Sequence, residues 1–197
     1  MASGIKIWEE FAKIGKLGWQ QGLFSSHGGN MSIKVGEKMY ITRRGSMLGS
    51  LAEEDIIETA VNGIDANISL ASTEIIVHRA IYQNTSALAI FHAHPPIATA
   101  LSMEYDEIIL DDSEGSYILK KVPVISAQKT VGSKEVAKII PEYLKEFKVV
   151  MLRGHGSFAT GLLLEEAFSF TSTLEHSCKI MLYRSGMGKK TFRDSIW

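Results

Sequence analysis

Polar and apolar residues alternate along the chain with two different periods, and each period predicts one kind of element. A three-residue spacing near the N-terminus predicts an amphipathic helix. This spacing runs through Ile5, Trp8, Phe11, Ile14 and Leu17. A two-residue alternation in segments 31–35 and 38–42, joined by Gly36-Glu37, predicts a β-hairpin.

Short apolar runs and helix-capping residues predict the remaining elements. Pro123 is expected to place the predicted strand 122–125 at an edge of the sheet, and Pro141 is expected to kink or split the predicted helix 133–147. Segment 104–115 is acidic and is expected to be irregular, and the tail 189–197 is expected to be mobile unless a partner chain holds it. Strands are predicted at 56–61, 87–94, 122–125, 149–152 and 157–160, and helices at 74–82, 97–103, 133–147 and 164–183.

This mixture of many short strands with helices predicts a single α/β domain that spans residues 1–197. Apolar residues make up 45% of the chain and charged residues 22%, which is ordinary for a globular enzyme. The formal net charge of −1 gives no electrostatic footprint for nucleic acid or for an anionic membrane, so neither is expected as a partner.

The cysteine count and the N-terminal sequence indicate the cellular compartment in which the protein is expected. Cys178 is the only cysteine, which excludes an intrachain disulfide and a cysteine-rich zinc site and favours a role as a core filler. The N-terminus has no signal-peptide apolar region, and no run approaches the ~18 apolar residues of a membrane span. A cytoplasmic protein is therefore expected.

His92 and His94 stand where a predicted strand ends. Side chains two residues apart on a strand share one face, so both imidazoles project in the same direction. Pro95 and Pro96 cannot continue a ladder and end the strand beside them. Imidazole nitrogen suits zinc, but this pair alone is explained equally well by two histidines that border a core strand.

His155 strengthens the metal hypothesis. It lies between Gly154 and Gly156, directly after another predicted strand. Glycines on both sides allow a close backbone approach or a positive φ. With His92 and His94 it completes the three-histidine set of a catalytic zinc site that keeps a fourth position open.

Glu74 is the candidate fourth group of this site. It lies in the first turn of its predicted helix, where the helix dipole favours an anion. Free backbone N–H groups at the same helix N-terminus suit a phosphate, and a glycine-rich loop with an arginine could complete the cradle. Ordinary caps and turns explain each residue taken singly. The candidate phosphate-binding residues are Gly29, Asn30, Arg44, Gly45, Ser72 and Thr73.

The other histidines are interpreted separately. His78 follows Glu74 by four residues on the same helical face, which favours a structural or supporting role. His176 lies inside the last predicted helix and is interpreted as a surface or packing residue. His27, in the glycine-rich segment, is left open as a ligand contact.

Together these residues resemble the class II aldolase/adducin family. The matching segments follow the family's order over nearly the whole chain. They are Gly28-Gly29-Asn30-Met31-Ser32, Met39-Tyr40-Ile41-Thr42 with Gly45, Ser72-Thr73-Glu74 with His78 and Tyr82, Phe91-His92-Ala93-His94, Leu152-Arg153-Gly154-His155-Gly156 and Leu164-Glu165-Glu166-Ala167.

The resemblance implies an α/β/α sandwich around a mixed, largely antiparallel sheet, in a homotetramer with active sites at subunit interfaces. It implies one Zn²⁺ per subunit on His92, His94 and His155. Glu74 would be the proton shuttle and would also bind the metal when the site is empty. The six residues named above would hold the phosphate of a small phosphorylated sugar.

The implied reaction is zinc-dependent aldol cleavage of a ketose 1-phosphate, of the L-fuculose 1-phosphate type, to dihydroxyacetone phosphate and an aldehyde. Glutamate rather than aspartate at position 74 favours the aldolase branch over relatives that epimerise pentulose 5-phosphates. The alternatives are a sugar-phosphate epimerase, a dehydratase or a decarboxylase on the same zinc site, and a non-catalytic adducin-like module.

The chain departs from the family pattern at positions that bear on the substrate. Arg44 stands where the family's aldolases typically have a threonine. The family's tyrosine acid should fall near 127–130, where this chain has no tyrosine, and the short C-terminal tail also lacks the family's late tyrosine. Tyr117 is a candidate substitute, so the identity of the second acid is left open.

Overall fold

The alternating segments of the chain pair into one eight-stranded sheet. The computed structural model describes residues 6–63 and 65–187. Of the strand pairs in these residues, β6–β7 is parallel and the others are antiparallel, and the order is β3-β2-β1-β4-β8-β7-β6-β5. The strands are β1 (Asn30–Val35), β2 (Lys38–Thr42), β3 (Ile56–Ala60), β4 (Ala89–Ala93), β5 (Glu107–Ile109), β6 (Lys121–Ile125), β7 (Val149–Leu152) and β8 (Gly156–Gly161).

Helices cover both faces of this sheet. The second and fifth helices pack together on one face, and the other four lie on the opposite face around the last and longest helix. The predicted α/β/α sandwich around a mixed, largely antiparallel sheet is therefore confirmed. The helices are α1 (Ile7–Gln20), α2 (Ile75–Asn84), α3 (Pro96–Glu104), α4 (Ser113–Ile118), α5 (Lys134–Leu144) and α6 (Leu164–Gly186).

The central strands are buried on both faces, and alternate residues enter two separate cores. On β4, Phe91 packs in the core on the α6 side, whereas Ile90 packs in the core on the α2 side. On β1, Met31 faces the α6 side. Because side chains on a strand alternate, Asn30, Ser32 and His92 all face the α2 side. The candidate site lies on this face, where β4 ends and β1 begins.

The segment predicted to be irregular contains two regular elements. Within 104–115, Ile108 is buried between two exposed neighbours and β5 pairs with β6. The Asp112 side chain accepts a hydrogen bond from the Gly115 amide at 3.0 Å and caps α4. The prediction was wrong here because a three-residue strand is too short to show a period against an acidic background.

The expected edge position of Pro123 and the expected split at Pro141 were also wrong, whereas a kink at Pro141 stays a prediction. Strand β6 is not at an edge, because β5 covers it, and the amide of Val124, next to Pro123, donates to the Asp106 carbonyl at 3.0 Å. Pro141 lies buried inside α5 without dividing it. Ser133 caps this helix, since its Oγ accepts from the Val136 amide at 3.1 Å.

The C-terminal tail 189–197, for which we expected mobility, lies outside the described residues. Among the helices of the described ranges, none combines the length and the apolar character needed to cross a membrane.

We expect Gly15→Ala to lower the free energy of unfolding by about 1–3 kcal/mol, as overpacking does. A Cβ at Gly15 would lie 2.0 Å from the Leu48 carbonyl oxygen, which is backbone and cannot rotate away. The matched control is Gly186→Ala, where a Cβ meets nothing within 4 Å. There the better helix propensity of alanine should dominate. Urea unfolding of both variants checks this, and equal stability of the two would contradict the close packing of α1.

Candidate active site

The three predicted metal ligands meet where two neighbouring strands end and begin. His92 is on β4 and His94 directly follows it, while His155 lies in the turn before β8. Strands β4 and β8 are antiparallel, with Ala93 opposite Ser157, so the end of one adjoins the start of the other. One ring nitrogen from each of the three histidines lies within 4.8 Å of the others.

The glycines around His155 make this approach possible. Gly154 has a φ of +64°, which favours glycine. A Cβ at Gly156 would lie 2.2 Å from the Ala93 carbonyl oxygen. A side chain at position 156 would therefore push the His155 turn away from the end of β4, and one at position 154 would strain the backbone of the turn.

A hydrogen bond and a stacked ring fix the orientation of His92. Its Nδ1–H donates to the Ser157 carbonyl at 2.8 Å, because a carbonyl oxygen can only accept. The imidazole also stacks on Phe158, with 4.1 Å between ring centroids. The Nε2 lone pair of His92 therefore points away from the backbone, and it lies 3.1 Å from Nε2 of His94. A second partner of this kind is typical of metal-binding histidines.

Burial keeps all three imidazoles neutral. It lowers the pKa of His92 well below the usual value, with further lowering by His94 and His155. The pKa of His94 is lowered to about 4 by burial and then by His155, and burial lowers that of His155 as well. Neutral imidazoles offer lone pairs at neutral pH.

The donor set fits a divalent metal ion. Tetrahedral ligands at about 2.0–2.1 Å from zinc have donor atoms roughly 3.3 Å apart. The separation of 3.1 Å between the Nε2 atoms of His92 and His94 is close to that spacing. His92, His94 and His155 can therefore hold a metal, as their sequence spacing predicted.

Glu74 is buried at the start of α2, and one of its carboxylate oxygens has no hydrogen-bond partner among the described residues. It is the N-cap of α2 rather than a first-turn residue as predicted, and its amide donates to Ser72 Oγ at 3.3 Å. Its Oε1 accepts from the Gly132 amide at 3.0 Å, whereas Oε2 is buried without a partner among the described residues. Burial raises the pKa of Glu74 to about 7, and the Gly132 amide opposes this rise. Its carboxylate lies outside the three-histidine cluster, so metal binding by Glu74 stays a prediction.

Backbone contacts join two of the three segments that carry the predicted phosphate-binding residues. The Ser72 amide donates to Thr42, and the Arg44 amide donates to Leu70. Asn30 lies opposite His92 in the β1–β4 register. Asn30 and Ser72 are buried and Gly29 is partly buried, while Arg44, Gly45 and Thr73 are exposed. Gly29 and Gly45 both have positive φ.

Three residues that support the site were hardly predictable from the sequence. The Ser157 carbonyl and the Phe158 ring orient His92, and the Gly132 amide holds Glu74. The Ser157 and Gly132 contacts use backbone atoms, which any residue type carries. Only Phe158 had a signal, as an apolar residue in a predicted strand two positions after Gly156.

The chain is similar to known proteins over most of its length. The family model for the Class II Aldolase and Adducin N-terminal domain matches residues 9–182. The chain is 32% identical over 177 residues to an L-fuculose phosphate aldolase of Methanocaldococcus jannaschii, covering 88% of this chain and 94% of that protein. A 3-oxo-tetronate 4-phosphate decarboxylase of Escherichia coli is 26% identical over 182 residues, covering 88% and 84%.

A solved structure agrees with these relatives. The L-fuculose-1-phosphate aldolase of Thermus thermophilus superposes with a TM-score of 0.87 at 36% identity, covering 91% of this chain and 94% of that chain. Both the sequence relatives and this structure therefore resemble the chain over most of its length.

We expect the full-length protein to bind about one equivalent of a divalent metal per subunit and His94→Ala to lose it, because two nitrogens alone bind weakly. His176→Ala is the matched control, since His176 is an exposed residue of α6. Elemental analysis after dialysis measures the metal. Equal metal content in the two variants would contradict the three-histidine site.

We also expect Glu74 to make the stability of the metal-free protein depend on pH. Its folded pKa of about 7 exceeds the ordinary value of 4.5, so the folded state binds the proton more tightly between these values. Its stabilising contribution is therefore complete below the unfolded pKa and is lost as pH rises through the folded pKa.

Glu74→Gln removes this titration, so the stability of the variant relative to wild type should increase between pH 5 and pH 8. The increase should be on the order of 3 kcal/mol. Urea unfolding in the presence of a chelator checks this, and the histidine contributions cancel in the comparison. A difference that does not change with pH would rule out the raised pKa.

Proposed function

The chain belongs to the class II aldolase and adducin family, and on that premise we propose that it is a zinc-dependent aldolase. Its substrate would be a ketose 1-phosphate similar to L-fuculose 1-phosphate, cleaved to dihydroxyacetone phosphate and an aldehyde. The observation that carries the proposal is the cluster of three neutral histidines that could hold a metal, together with Glu74, a buried carboxyl group with a pKa near neutrality. The relatives named as L-fuculose phosphate aldolases support the choice of substrate.

His92, His94 and His155 would hold one Zn²⁺ per subunit. When bound, the ion supplies Lewis-acid stabilisation of the negative charge that develops on substrate oxygen atoms. The Ser157 carbonyl keeps His92 in the tautomer that presents Nε2. The protein thus contributes a rigid set of neutral donors.

Glu74 would move the proton on and off the carbon of the dihydroxyacetone phosphate unit. A group with a pKa near the working pH is present both as acid and as base, which suits proton transfer in both directions. The Gly132 amide holds Oε1 and leaves Oε2 to carry the proton. In the absence of substrate, the same carboxylate would bind the metal.

The phosphate would be held by Gly29, Asn30, Arg44, Gly45, Ser72 and Thr73. Two observations support this placement. Asn30 lies beside His92 in the sheet, and the segments of Arg44 and Ser72 are joined by backbone hydrogen bonds through their neighbours. The exposed guanidinium of Arg44 would give a charge-assisted contact to phosphate.

Catalysis also needs a second acid for the aldehyde oxygen. Tyr117, the substitute that the sequence offers, is 86% exposed on α4. An exposed phenol is free to enter the site of a neighbouring subunit, which ties this role to the proposed homotetramer. Light scattering measures the subunit number, and a monomer would exclude an acid donated between subunits. The cytoplasmic location remains a prediction from the sequence.

A decarboxylase is the second candidate function. The 26% identical Escherichia coli decarboxylase acts on a 3-oxo-tetronate 4-phosphate, which carries a carboxylate besides its phosphate. Arg44, where the family's aldolases typically have threonine, would suit such an additional anion. Product analysis by NMR with phosphorylated ketoses and sugar acids separates the two reactions. Release of carbon dioxide without aldol cleavage would replace the first proposal with the second.

We expect Glu74→Gln to keep its metal and to lose cleavage of L-fuculose 1-phosphate by about 10²-fold or more, as for a lost general base. Glu146→Gln, at an exposed residue after α5, is the matched control and should cleave at the wild-type rate. Dihydroxyacetone phosphate formation measures turnover, and elemental analysis measures the metal. Near-normal turnover in Glu74→Gln would exclude Glu74 as the proton carrier.

A further inference from the structure

Four polar side chains form a continuous hydrogen-bonded chain from the core to the candidate phosphate site. The Tyr82 hydroxyl lies 2.7 Å from Ser32 Oγ, and Ser32 Oγ lies 2.6 Å from Nδ1 of His78. Nε2 of His78 lies 2.6 Å from Oδ1 of Asn30. Each of the four residues is at most 6% exposed. Bulk water therefore does not compete for these contacts.

The secondary structure places the four residues in register. Asn30 and Ser32 are two apart on β1 and share the face toward α2. His78 and Tyr82 are four apart on α2 and share its face toward the sheet. His78 inserts between the two strand residues and gives one ring nitrogen to each. Both ring nitrogens are thus used within the protein.

If Ser32 donates in one of its two hydrogen bonds and accepts in the other, the chain can run in only two directions. In the forward direction Tyr82 donates to Ser32, Ser32 donates to Nδ1 of His78, and Nε2–H of His78 donates to the Asn30 carbonyl. In the reverse direction the Asn30 NH₂ group donates to His78, and the chain ends with Ser32 donating to Tyr82. The Tyr82 hydroxyl hydrogen then needs another acceptor. Among the described residues, Ser32 is its one recorded partner.

The forward direction gives the hydroxyls of Tyr82 and Ser32 and the N–H of His78 an acceptor each, whereas the reverse direction leaves a buried O–H without one, which is costly. Burial also lowers the pKa of His78 to about 3, so the ring is neutral and carries a single N–H. A neutral ring that accepts at Nδ1 must donate at Nε2. The Asn30 group that faces His78 is then its carbonyl.

We infer that His78, held by Ser32 and Tyr82, is a positioning residue that turns the NH₂ group of Asn30 toward the phosphate of the substrate. The inference rests on the proposed function for the phosphate and deepens it, because it names what gives Asn30 its donor character. Unrestrained, a carboxamide presents oxygen or nitrogen with similar ease. An oxygen at this position would repel an anion, so the direction of the chain decides whether Asn30 binds phosphate.

The tautomer of His78 tests the direction without any need for turnover. Long-range ¹H–¹⁵N correlation spectra of the full-length, zinc-loaded protein distinguish a ring protonated at Nε2 from one protonated at Nδ1. We expect the Nε2–H form in the wild type. In Ser32→Ala the Nδ1 donor is lost, and both tautomers should be populated. A wild-type ring protonated at Nδ1 would overturn the inference, and this result does not depend on whether any variant folds.

Titration with inorganic phosphate tests the consequence. The Asn30 side-chain amide signals should shift on addition of phosphate, and Ser32→Ala should weaken phosphate binding roughly tenfold, as for one lost hydrogen bond to a charged group. Asn30→Ala should weaken it at least as much. Thr171→Val is the matched control, because it removes a buried hydroxyl without a recorded partner on α6, across the sheet. Its phosphate affinity should stay within about twofold of wild type.

The remaining outcomes separate three claims: the positioning of Asn30, its contact with phosphate, and the proposed reaction. Phosphate binding as tight in a folded Ser32→Ala as in wild type, but lost in Asn30→Ala, would show that Asn30 needs no positioning and would overturn the inference. A wild type whose Asn30 signals do not respond to phosphate would overturn the phosphate contact itself. Absence of aldol cleavage, with the expected tautomer and phosphate titration, would count against the proposed reaction and leave the positioning chain standing.

Discussion

Antiparallel pairing between β4 and β8 is the contact on which the candidate site depends. It places Ala93 opposite Ser157, so the last residues of one strand meet the first residues of the other. His92 and His94 come from the first strand end and His155 from the turn before the second. The same pairing supplies the Ser157 carbonyl and the Phe158 ring that orient His92. One ladder thus both assembles the three donors and fixes the direction of the central one.

Burial determines the chemistry of the histidines at this ladder and of the acidic and imidazole groups on α2. Removal from water disfavours charge, which lowers the pKa of the histidines and raises that of Glu74. The same physical cause therefore yields neutral metal donors and a carboxyl group poised near neutral pH. Hydrogen bonds adjust this effect locally, as the Gly132 amide does at Glu74. Asn30, Ser32 and His92 are thus buried polar residues on the α2 face of the sheet, which is otherwise largely apolar.

Regular patterns in the chain predicted most of the fold. The β1–β2 hairpin, the strand before Pro95 and the long C-terminal helix all follow from spacing that repeats over several residues. The segment 104–115 escaped prediction because β5 and α4 are too short to repeat a pattern. The edge position of Pro123 and the split at Pro141 were wrongly predicted because a proline's local effect takes no account of neighbouring elements. Strand β5 pairs with the strand of Pro123, and Pro141 is buried in the core.

Residue identity by itself determined the donor types of the three-histidine cluster, since His92, His94 and His155 were recognisable from their spacing and from neighbouring glycines and prolines. Glu74 was proposed as the acid from its place at a predicted helix start. Only the tertiary structure decided how these groups behave. The pKa of Glu74 depends on how deeply α2 buries it, and the bond from His92 goes to a backbone carbonyl that sequence cannot single out. The direction of the chain from Tyr82 to Asn30 likewise requires distances between a strand and a helix that are far apart in sequence. The type of each functional group can be read from the sequence. Its pKa and its backbone hydrogen-bond partner depend on burial and on contacts that exist only in the folded protein.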